Sequence, residues 1–365
     1  MAYTTIDDPS QYFQTLLYTG NATGSRALTN DGNSDLQPDW LWIKQRNATK
    51  NHNIWDSTRG VTKQLRANLN NAEATNTTND TLVSLNSDGF TLGDDTDSVG
   101  VNENSQTYVA WQWKANGGTT SSNTDGVITS TVQANQTAGF SIVKFDSTSA
   151  SGEATVGHGL GAVPHVIIMK DLVQSYGWDV HHISAGGSDA DGRLVLNTDE
   201  AYSNASNIQA FGQAGSSSSG IAPTSTTFSF NQGFYGSSGD AKIVYFFTPI
   251  QGYSKFGSYT GNGSADGPFV YLGFKPAWLM IKETSNADDW YIYDAKRSTI
   301  NVINDYLQAN KVNAEETTSI NLIDFVSNGF KSRGTGGTTN TDGATYVYMA
   351  FAEHPFVSSE GVPVT

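Results

Sequence analysis

Cysteine is absent from this 365-residue chain, and charged residues make up only 15% of it. Without cysteine the chain can form neither disulfides nor thiolate metal sites. Because Glu, Lys and Arg are scarce, against a usual charged fraction of about 25%, we expect few solvent-exposed helices. Apolar runs are short as well. Runs such as Trp40-Leu41-Trp42-Ile43 are far too short to cross a bilayer.

The charge that is present is mostly negative. A total of 35 Asp and Glu against 20 Lys and Arg gives a formal net charge of −15. Nucleic acids and anionic membrane surfaces repel such a protein, so we expect no nucleic-acid partner and no membrane insertion. Met1 leads directly into polar sequence, without the basic start and apolar stretch of a signal peptide. This predicts a soluble protein made in a cytoplasm.

Glycine and aromatic residues are abundant instead. The chain has 37 Gly, 16 Tyr, 17 Phe and 8 Trp, and Thr, Ser and Asn take the place of charged residues. These are the residues of strands and polar turns. The composition predicts an all-β protein of many short strands, and it has too many aromatic and β-branched residues for a disordered chain.

Internal repetition is the most informative feature of the sequence. A Pro-x-x-apolar-x-x-Lys pattern occurs three times, at residues 38–44, 164–170 and 276–282. An aromatic-Asp-x-x-base element follows each copy, and a Leu-x-x-Asn element, a Gly-Phe step and a closing aromatic strand come after it in constant order. We interpret the second element as a structural ion pair or turn clamp. Its three copies are Trp55-Asp56…Arg59, Trp178-Asp179…His182 and Tyr293-Asp294…Arg297.

The repeats divide the chain into three units. We predict a first unit with its N-terminal segment at residues 1–115, a flexible Gly/Ser/Thr linker at 116–130, a second unit at 131–250, and a third unit with a C-terminal tail at 251–365. Each unit is long enough to bury its own core. Short apolar segments between Gly, Asn and Asp turns favour antiparallel β-sandwiches, jelly-roll or lectin-like. We therefore expect three separately folded sheet pairs in tandem.

Several motifs resemble those of a known family. They are the opening segment 2–14, segment 37–46, the turn 87–90 and the closing segment 349–363. Together they are similar to a poorly characterised family of virion structural proteins from marine tailed bacteriophages, tail- or tail-fibre-like. The resemblance covers the whole chain. It implies a virion location, other virion proteins as partners and adsorption to a host surface, and it supplies no binding residues.

Three functions are compatible with these features. The first is a non-enzymatic virion protein of a tail fibre or similar appendage, which takes part in host attachment and binds host cell-surface glycans. The second is a purely architectural head-decoration or tail-adaptor protein. The third is a polysaccharide depolymerase, for which the sequence places no pair of carboxylates together. Fibres are usually trimers, and the sequence leaves open a homotrimer of chains or a pseudo-threefold assembly within one chain.

Catalytic and metal-binding motifs are missing from the sequence. It contains no nucleophile elbow, zinc-protease helix, Walker loop or dinucleotide fingerprint, so we predict no enzyme and no catalytic residue. Among the six histidines only His181 and His182 are adjacent, and neighbours on a strand point to opposite faces. Asp189 and Asp191 are weak calcium candidates, because two carboxylates in a Gly-rich loop suit Ca²⁺. A solvated acidic turn explains them more simply, and we expect no cofactor.

Aromatic residues are the candidates for ligand binding, because aromatic rings stack on sugars. The pairs Trp40/Trp42 and Trp111/Trp113 lie two apart on predicted strands, and we interpret them as sandwich core. Better candidates lie on expected loops. The predicted ligand-binding residues are Tyr176, Trp178, His181, His182, Trp290 and Tyr291.

Overall fold

The structure is a computed structural model that describes residues 3–149, 152–186, 192–204, 210–211, 221–232, 238–317 and 322–364. Strands account for 44% and helices for 2%, which confirms the prediction of an all-β protein. The chain forms three antiparallel β-sandwich units in tandem. In the described part of the chain, every helix is too short or too polar to cross a membrane.

The first unit is a sandwich of a six-stranded and a three-stranded sheet. Its large sheet has the strand order β1-β9-β3-β4-β5-β6, and its small sheet has the order β2-β8-β7. A 3-10 helix, η1 (Pro9–Gln11), precedes the first strand. The strands are β1 (Phe13–Thr19), β2 (Arg26–Leu28), β3 (Trp40–Gln45), β4 (Asn53–Asp56), β5 (Lys63–Arg66), β6 (Ala74–Thr75), β7 (Leu82–Leu85), β8 (Phe90–Leu92) and β9 (Thr107–Trp113).

The second unit has a seven-stranded sheet, in the order β10-β11-β12-β18-β14-β15-β16, and a two-stranded sheet of β13 and β17. A short helix, α1 (Ile183–Gly186), follows β15 directly. The strands are β10 (Ser121–Asn123), β11 (Ser130–Asn135), β12 (Phe140–Asp146), β13 (Glu153–Gly157), β14 (Val166–Asp171), β15 (Trp178–His182), β16 (Leu194–Val195), β17 (Thr227–Asn231) and β18 (Ala241–Phe247).

The third unit repeats the first strand for strand. Its large sheet has the order β19-β27-β21-β22-β23-β24, and its small sheet has the order β20-β26-β25. The strands are β19 (Ser254–Thr260), β20 (Phe269–Tyr271), β21 (Phe274–Glu283), β22 (Trp290–Asp294), β23 (Asp305–Gln308), β24 (Glu316–Thr317), β25 (Ile323–Val326), β26 (Gly329–Ser332) and β27 (Thr345–Pro355). The sequence repeat is therefore a repeat of topology.

Residues 116–130 form ordered structure. Strands β10 and β11 extend the large sheet of the second unit beyond β12. Just before them, the carboxylate of Asp39 accepts hydrogen bonds from the backbone N–H groups of Ala115, Gly117 and Gly118 at 2.7–2.8 Å. Both glycines have positive φ, which glycine adopts at little steric cost. The prediction of a flexible linker is wrong, because strand pairing and the Asp39 carboxylate hold this segment.

Each sandwich has a core between its large and small sheets. In the first unit, Leu41 and Ile43 of β3 pack with Phe90 and Tyr108 in one buried cluster. The second and third units have corresponding clusters of their own. These three cores are the ones that the sequence predicts.

A fourth core lies where the three large sheets meet. Trp40 and Trp42 alternate with Leu41 and Ile43 along β3, so their side chains point away from their own sandwich. There they join residues of both other units in a single buried cluster. Both faces of the large sheet are therefore buried, which explains why the Pro-to-Lys segment is continuously apolar.

Aromatic rings from all three closing strands take part in this central core. The rings of Trp113 and Phe351 have centroids 5.7 Å apart, and those of Phe247 and Phe351 are 5.9 Å apart. Trp40 of the first unit also lies 5.8 Å from Phe247 of the second. The predicted sandwiches are present, but the expectation of three cores that stand apart is wrong, because the sheets share this one.

Candidate functional site

The predicted ligand-binding residues are mostly buried. Tyr176 is 37% exposed, but Trp178, His181 and His182 lie on β15 and Trp290 and Tyr291 on β22, and all five are buried. They are not on loops, and this placement leaves them no surface for a large ligand. Asp189 and Asp191 lie outside the described residues. Among the residues that are described, no cluster of three or more His, Asp or Glu could hold a metal ion.

Three of the buried candidates, Trp178, His182 and Trp290, instead lie at contacts between units, which repeat three times. His181 and Tyr291 point into their own sandwiches, where they contact Phe211 and Tyr306. We name them the first interface (units one and two), the second (two and three) and the third (three and one). At each, a backbone N–H of one unit donates to the carbonyl that follows the Pro-to-Lys strand of the next. These bonds are Glu73 N to Leu172 O (2.9 Å), Tyr202 N to Thr284 O (3.0 Å) and Glu315 N to Arg46 O (2.6 Å). The bonds run head to tail and close a ring.

Tryptophan indoles make the second repeated contact. Nε1 of Trp178 donates to the Arg66 carbonyl oxygen at the first interface (3.0 Å), and Nε1 of Trp290 donates to the Val195 carbonyl oxygen at the second (3.0 Å). The equivalent residue at the third interface is His52, whose ring interacts with the Gln308 backbone. Trp178 and Trp290 thus bind neighbouring units of the same chain.

Carboxylates make the third repeated contact. At the first interface the hydroxyl of Tyr245 donates to Asp56 (2.7 Å), and at the third Nε1 of Trp111 donates to Asp294 (3.0 Å). Tyr245 and Trp111 occupy equivalent positions, because each pairs with the fifth residue of the Pro-to-Lys pattern, in β14 and in β3 respectively. Two interfaces are therefore joined by an aromatic donor and a buried acid.

The second interface uses a different pair at this position. The residue equivalent to Trp111 is Met349, which has no hydrogen-bond donor. The residue equivalent to the acid is His182, whose Nε2 donates to the Tyr348 carbonyl oxygen (3.0 Å). Burial lowers the pKa of His182 to about 4, so the ring is neutral at pH 7. The aromatic donor and the carboxylate are therefore both absent at this position of the second interface, so that no acid is left there without its donor.

Strand register corrects the repeat alignment of the second unit. His182 pairs with Val166 as Asp56 pairs with Trp40 and Asp294 with Trp278. His182 is therefore the counterpart of the acid, and the sequence alignment of Asp179 with Asp56 is wrong by three residues. The spacing from Asp179 to His182 imitates the Asp-x-x-base element by coincidence. In the structure Asp179 forms its ion pair with Arg193.

The Asp-x-x-Arg elements of the other two units form buried ion pairs. Nε of Arg59 donates to Asp56 at 2.6 Å, and Nε of Arg297 donates to Asp294 at 2.5 Å. All four side chains are at most 1% exposed. The structural interpretation of this element is confirmed for the first and third units. The same carboxylates also accept hydrogen bonds across an interface. Each ion pair therefore connects the turn after β4 or β22 to the neighbouring unit.

Three lysines occupy the far end of the central core. Lys44, Lys170 and Lys282 end the Pro-to-Lys pattern, are fully buried, and form no ion pair in the described part of the chain. Each amino group instead donates to the next residue's carbonyl at 2.6–2.8 Å. Lys170 and Lys282 also reach carbonyls of the neighbouring unit, Asn70 (3.2 Å) and Asp199 (3.4 Å).

Stability should increase with pH from 8 to 10 because of these lysines. Burial lowers the pKa of Lys44 to about 7 and the pKa values of Lys170 and Lys282 to about 8. Over this range the unfolded chain holds protons that the folded chain has lost, so the free energy of unfolding rises by about 1.4 kcal/mol per lysine per pH unit. Above pH 10 the buried phenols of Tyr245 and Tyr253, whose pKa values burial raises, reverse the trend.

Urea denaturation at intervals between pH 7 and 11 measures this dependence. We expect a maximum of stability near pH 10, and a Lys170→Met variant should lose about a third of the rise because one of the three lysines is gone. Stability that falls steadily from pH 7 to 10 in the unsubstituted chain would contradict the assignment of these lysines.

Comparisons with known proteins identify a family. A model of a domain of unknown function, DUF7483, matches residues 8–355. No curated protein and no solved structure matches the chain. The matched span begins before β1 and ends with β27, so it takes in all three units and all three interfaces.

Proposed function

Because the chain belongs to the DUF7483 family, which is defined over the whole three-unit ring, we propose a function for the ring as one body. The protein is a non-enzymatic structural component of a bacteriophage virion. It forms part of a tail fibre or similar appendage and takes part in host attachment. Its partners are other virion proteins and the glycans of the host cell surface.

The observation that carries this proposal is the closed ring of interfaces. Three quasi-equivalent units meet head to tail within one chain, as three subunits meet in a cyclic trimer. Phage fibres are usually trimers, and a ring of this kind presents three similar faces to a partner on a threefold axis. The same feature favours the second candidate, an architectural tail adaptor that contacts only virion proteins.

Two of the segments that carry the resemblance to phage proteins, the opening and the closing one, lie together in the structure. The N-terminal segment reaches the third unit, where the hydroxyl of Tyr3 donates to Gly273 O (3.0 Å) and that of Thr4 donates to Gln251 O (2.8 Å). The C-terminal tail binds it in turn, since the backbone N–H of Ser359 donates to Asp7 (2.7 Å). The opening and closing motifs therefore connect the first unit to the third. These contacts support a structural role for both motifs.

The buried histidines and the ion-paired buried acids favour a structural role over catalysis. Burial lowers the pKa of His181 to about 3 and that of His182 to about 4, and both rings lie inside the protein. The buried acids Asp56 and Asp294 are each paired with an arginine. Catalytic acids and bases need access to substrate, and these buried side chains have none.

Analysis of purified particles tests the proposal. Mass spectrometry of gradient-purified virions should detect the chain, and antibody-gold labelling should place it on the tail or its appendages. A replication protein from the same lysate serves as the control for contamination. Absence of the chain from particles that contain the other structural proteins would overturn the proposal. Binding of the purified chain to host cells separates the attachment role from the architectural one.

A further inference from the structure

Each interface of the ring has a cleft at its aromatic end, and the backbone marks the same place in all three. The marker is a backbone hydrogen bond. Its donor is the residue that directly follows β4, β15 or β22, and its acceptor is the residue that follows the proline of the Pro-to-Lys pattern. These bonds are Ser57 N to Asp39 O (2.9 Å), Ile183 N to His165 O (2.8 Å) and Ala295 N to Ala277 O (2.8 Å). The side chains at these positions decide what fills each cleft.

The cleft at the first interface is filled by the chain itself. The side-chain amide of Gln133 donates to Ser57 Oγ (2.9 Å), and its carbonyl accepts from Gly118 N (2.9 Å). The hydroxyl of Ser57 donates to Asp39 (2.6 Å), which also holds the loop before β10. Polar side chains at both marker positions thus bind the β10–β11 insertion of the second unit.

The cleft at the second interface is filled in another way. Helix α1 begins at the marker residue Ile183 and packs against β19 of the third unit. The ring of His165, the other marker residue, interacts with the backbone of Phe256 on the same strand. A bulky residue at each marker position therefore closes this cleft.

The cleft at the third interface is open. Both marker residues are alanines, Ala277 and Ala295, and the described part of the chain inserts nothing between them and β1 of the first unit. A cavity of about 260 Å³ remains, with Phe13 and Thr15 on its other side. The ring of Phe13 stacks on Phe351 at 5.5 Å, so the floor is a rigid part of the central core.

The rim of this third cleft carries charged side chains that balance one another. Lys296 pairs with Asp31 across the mouth at 3.0 Å, and Glu353 pairs with Lys275 at 2.7 Å. The hydroxyl of Thr15 is buried and has no hydrogen-bond partner among the described residues. A buried hydroxyl without a partner is destabilising by itself, and a ligand or water in the cleft would supply the missing hydrogen bond.

We propose that the third cleft binds one neutral sugar residue of a host surface glycan. The apolar wall of Phe13, Ala277 and Ala295 suits the C–H face of a sugar, and the Thr15 hydroxyl with the rim carboxylates suits its hydroxyl groups. Paired charges give no advantage to an ionic ligand. The volume holds a single sugar ring, since drug-sized ligands need pockets of about 300 Å³ or more. This inference rests on the proposed attachment function and gives that function a site.

Saturation-transfer NMR with the full chain and a panel of neutral monosaccharides (glucose, galactose, mannose, N-acetylglucosamine and rhamnose) tests the proposal. At least one should bind with a dissociation constant of about 1 mM, which is typical of weak single-site affinity. Ala295→Leu fills the cleft and should weaken binding at least tenfold. Ala27→Leu adds the same side chain to the exposed strand β2 of the first unit and should leave binding unchanged.

A second variant separates binding from folding. Thr15→Val replaces a hydroxyl without a partner by a methyl group of similar shape, so thermal stability should stay equal or increase. Affinity for the sugar should fall by about threefold to tenfold, as expected for one lost hydrogen bond. Absence of binding across the panel, or equal binding by Ala295→Leu, would overturn the proposal. Presence of the chain in virions is measured separately, so failure here leaves the proposed function standing.

Discussion

Replacement of Asp56 by alanine should lower the free energy of unfolding by about 3–5 kcal/mol, because it strands a buried arginine. Asp56 accepts from Arg59 at 2.6 Å and, across the first interface, from Tyr245 at 2.7 Å. Without it, the guanidinium of Arg59 keeps Glu73 (3.0 Å) as its one charged partner among the described residues. Urea denaturation monitored by tryptophan fluorescence measures the change.

An exposed ion pair provides the matched control. Asp266 pairs with Lys331 in the third unit, but its side chain is 85% exposed. Asp266→Ala should therefore change the free energy of unfolding by less than about 1 kcal/mol. A loss below about 1 kcal/mol for Asp56→Ala, as for Asp266→Ala, would contradict the prediction that removal of Asp56 strands a buried arginine.

Replacement of Phe351 by alanine should also cost about 3–5 kcal/mol, because it opens a cavity in the central core. Its ring meets Phe13 and Trp113 of the first unit at 5.5 and 5.7 Å, Phe247 of the second at 5.9 Å, and Trp278 of its own unit at 5.9 Å. Hydrogen exchange should therefore accelerate at β9 and β18 as well as at β27.

Phe330→Ala is the control for this second prediction. Phe330 is fully buried too, but it contacts Tyr259 and Tyr348 inside the third sandwich. Its loss should be similar in free energy, and exchange should accelerate first at β25 and β26. If Phe351→Ala leaves exchange in the first and second units unchanged, the central core does not couple the three sandwiches.

Much of the fold can be predicted from the sequence because the same order of elements occurs three times. The Pro-to-Lys pattern predicts a buried strand, and the order of elements predicts equal sandwiches. The burial of Trp40, Trp42, Trp111 and Trp113 and the ion pair of Asp56 with Arg59 are confirmed. The four tryptophans lie in the shared central core, however, and not in the sandwich core that we predicted. Local patterns suffice here because side-chain alternation and short-range spacing determine these features.

The faces of the strands could not be assigned to their partners from the sequence. Alternation shows that Trp40 and Leu41 point to opposite sides, but it does not show that one side meets another unit of the chain. Trp178 and Trp290 follow turn-rich segments, which favours loops, but both lie on strands, where they pair with Lys170 and Lys282. Their indoles bind carbonyls of the neighbouring unit. The identity of those acceptors depends on long-range contacts.

The second unit shows the limit of motif spacing. Asp179 and His182 stand three residues apart, as Asp56 and Arg59 do, and only strand register reveals that His182 is the counterpart of Asp56. Met349 and His182 replace the aromatic donor and the acid of the other interfaces, and only their shared position at the second interface explains both residues. The flexible-linker prediction for residues 116–130 failed in part for a similar reason, because Asp39, which holds the start of this segment, lies elsewhere in the sequence. The pairing of β10 with β11 is local, but polar Gly/Ser/Thr composition does not indicate it.

Differential scanning calorimetry of the full chain, under conditions where unfolding is reversible, tests the shared core most directly. For 365 residues the total enthalpy should be about 250 kcal/mol near 60 °C. If the ring unfolds as one body, a single transition should give a van't Hoff enthalpy equal to the calorimetric one. A calorimetric enthalpy about three times the van't Hoff value, or three resolved transitions, would show that the sandwiches unfold independently and contradict the account.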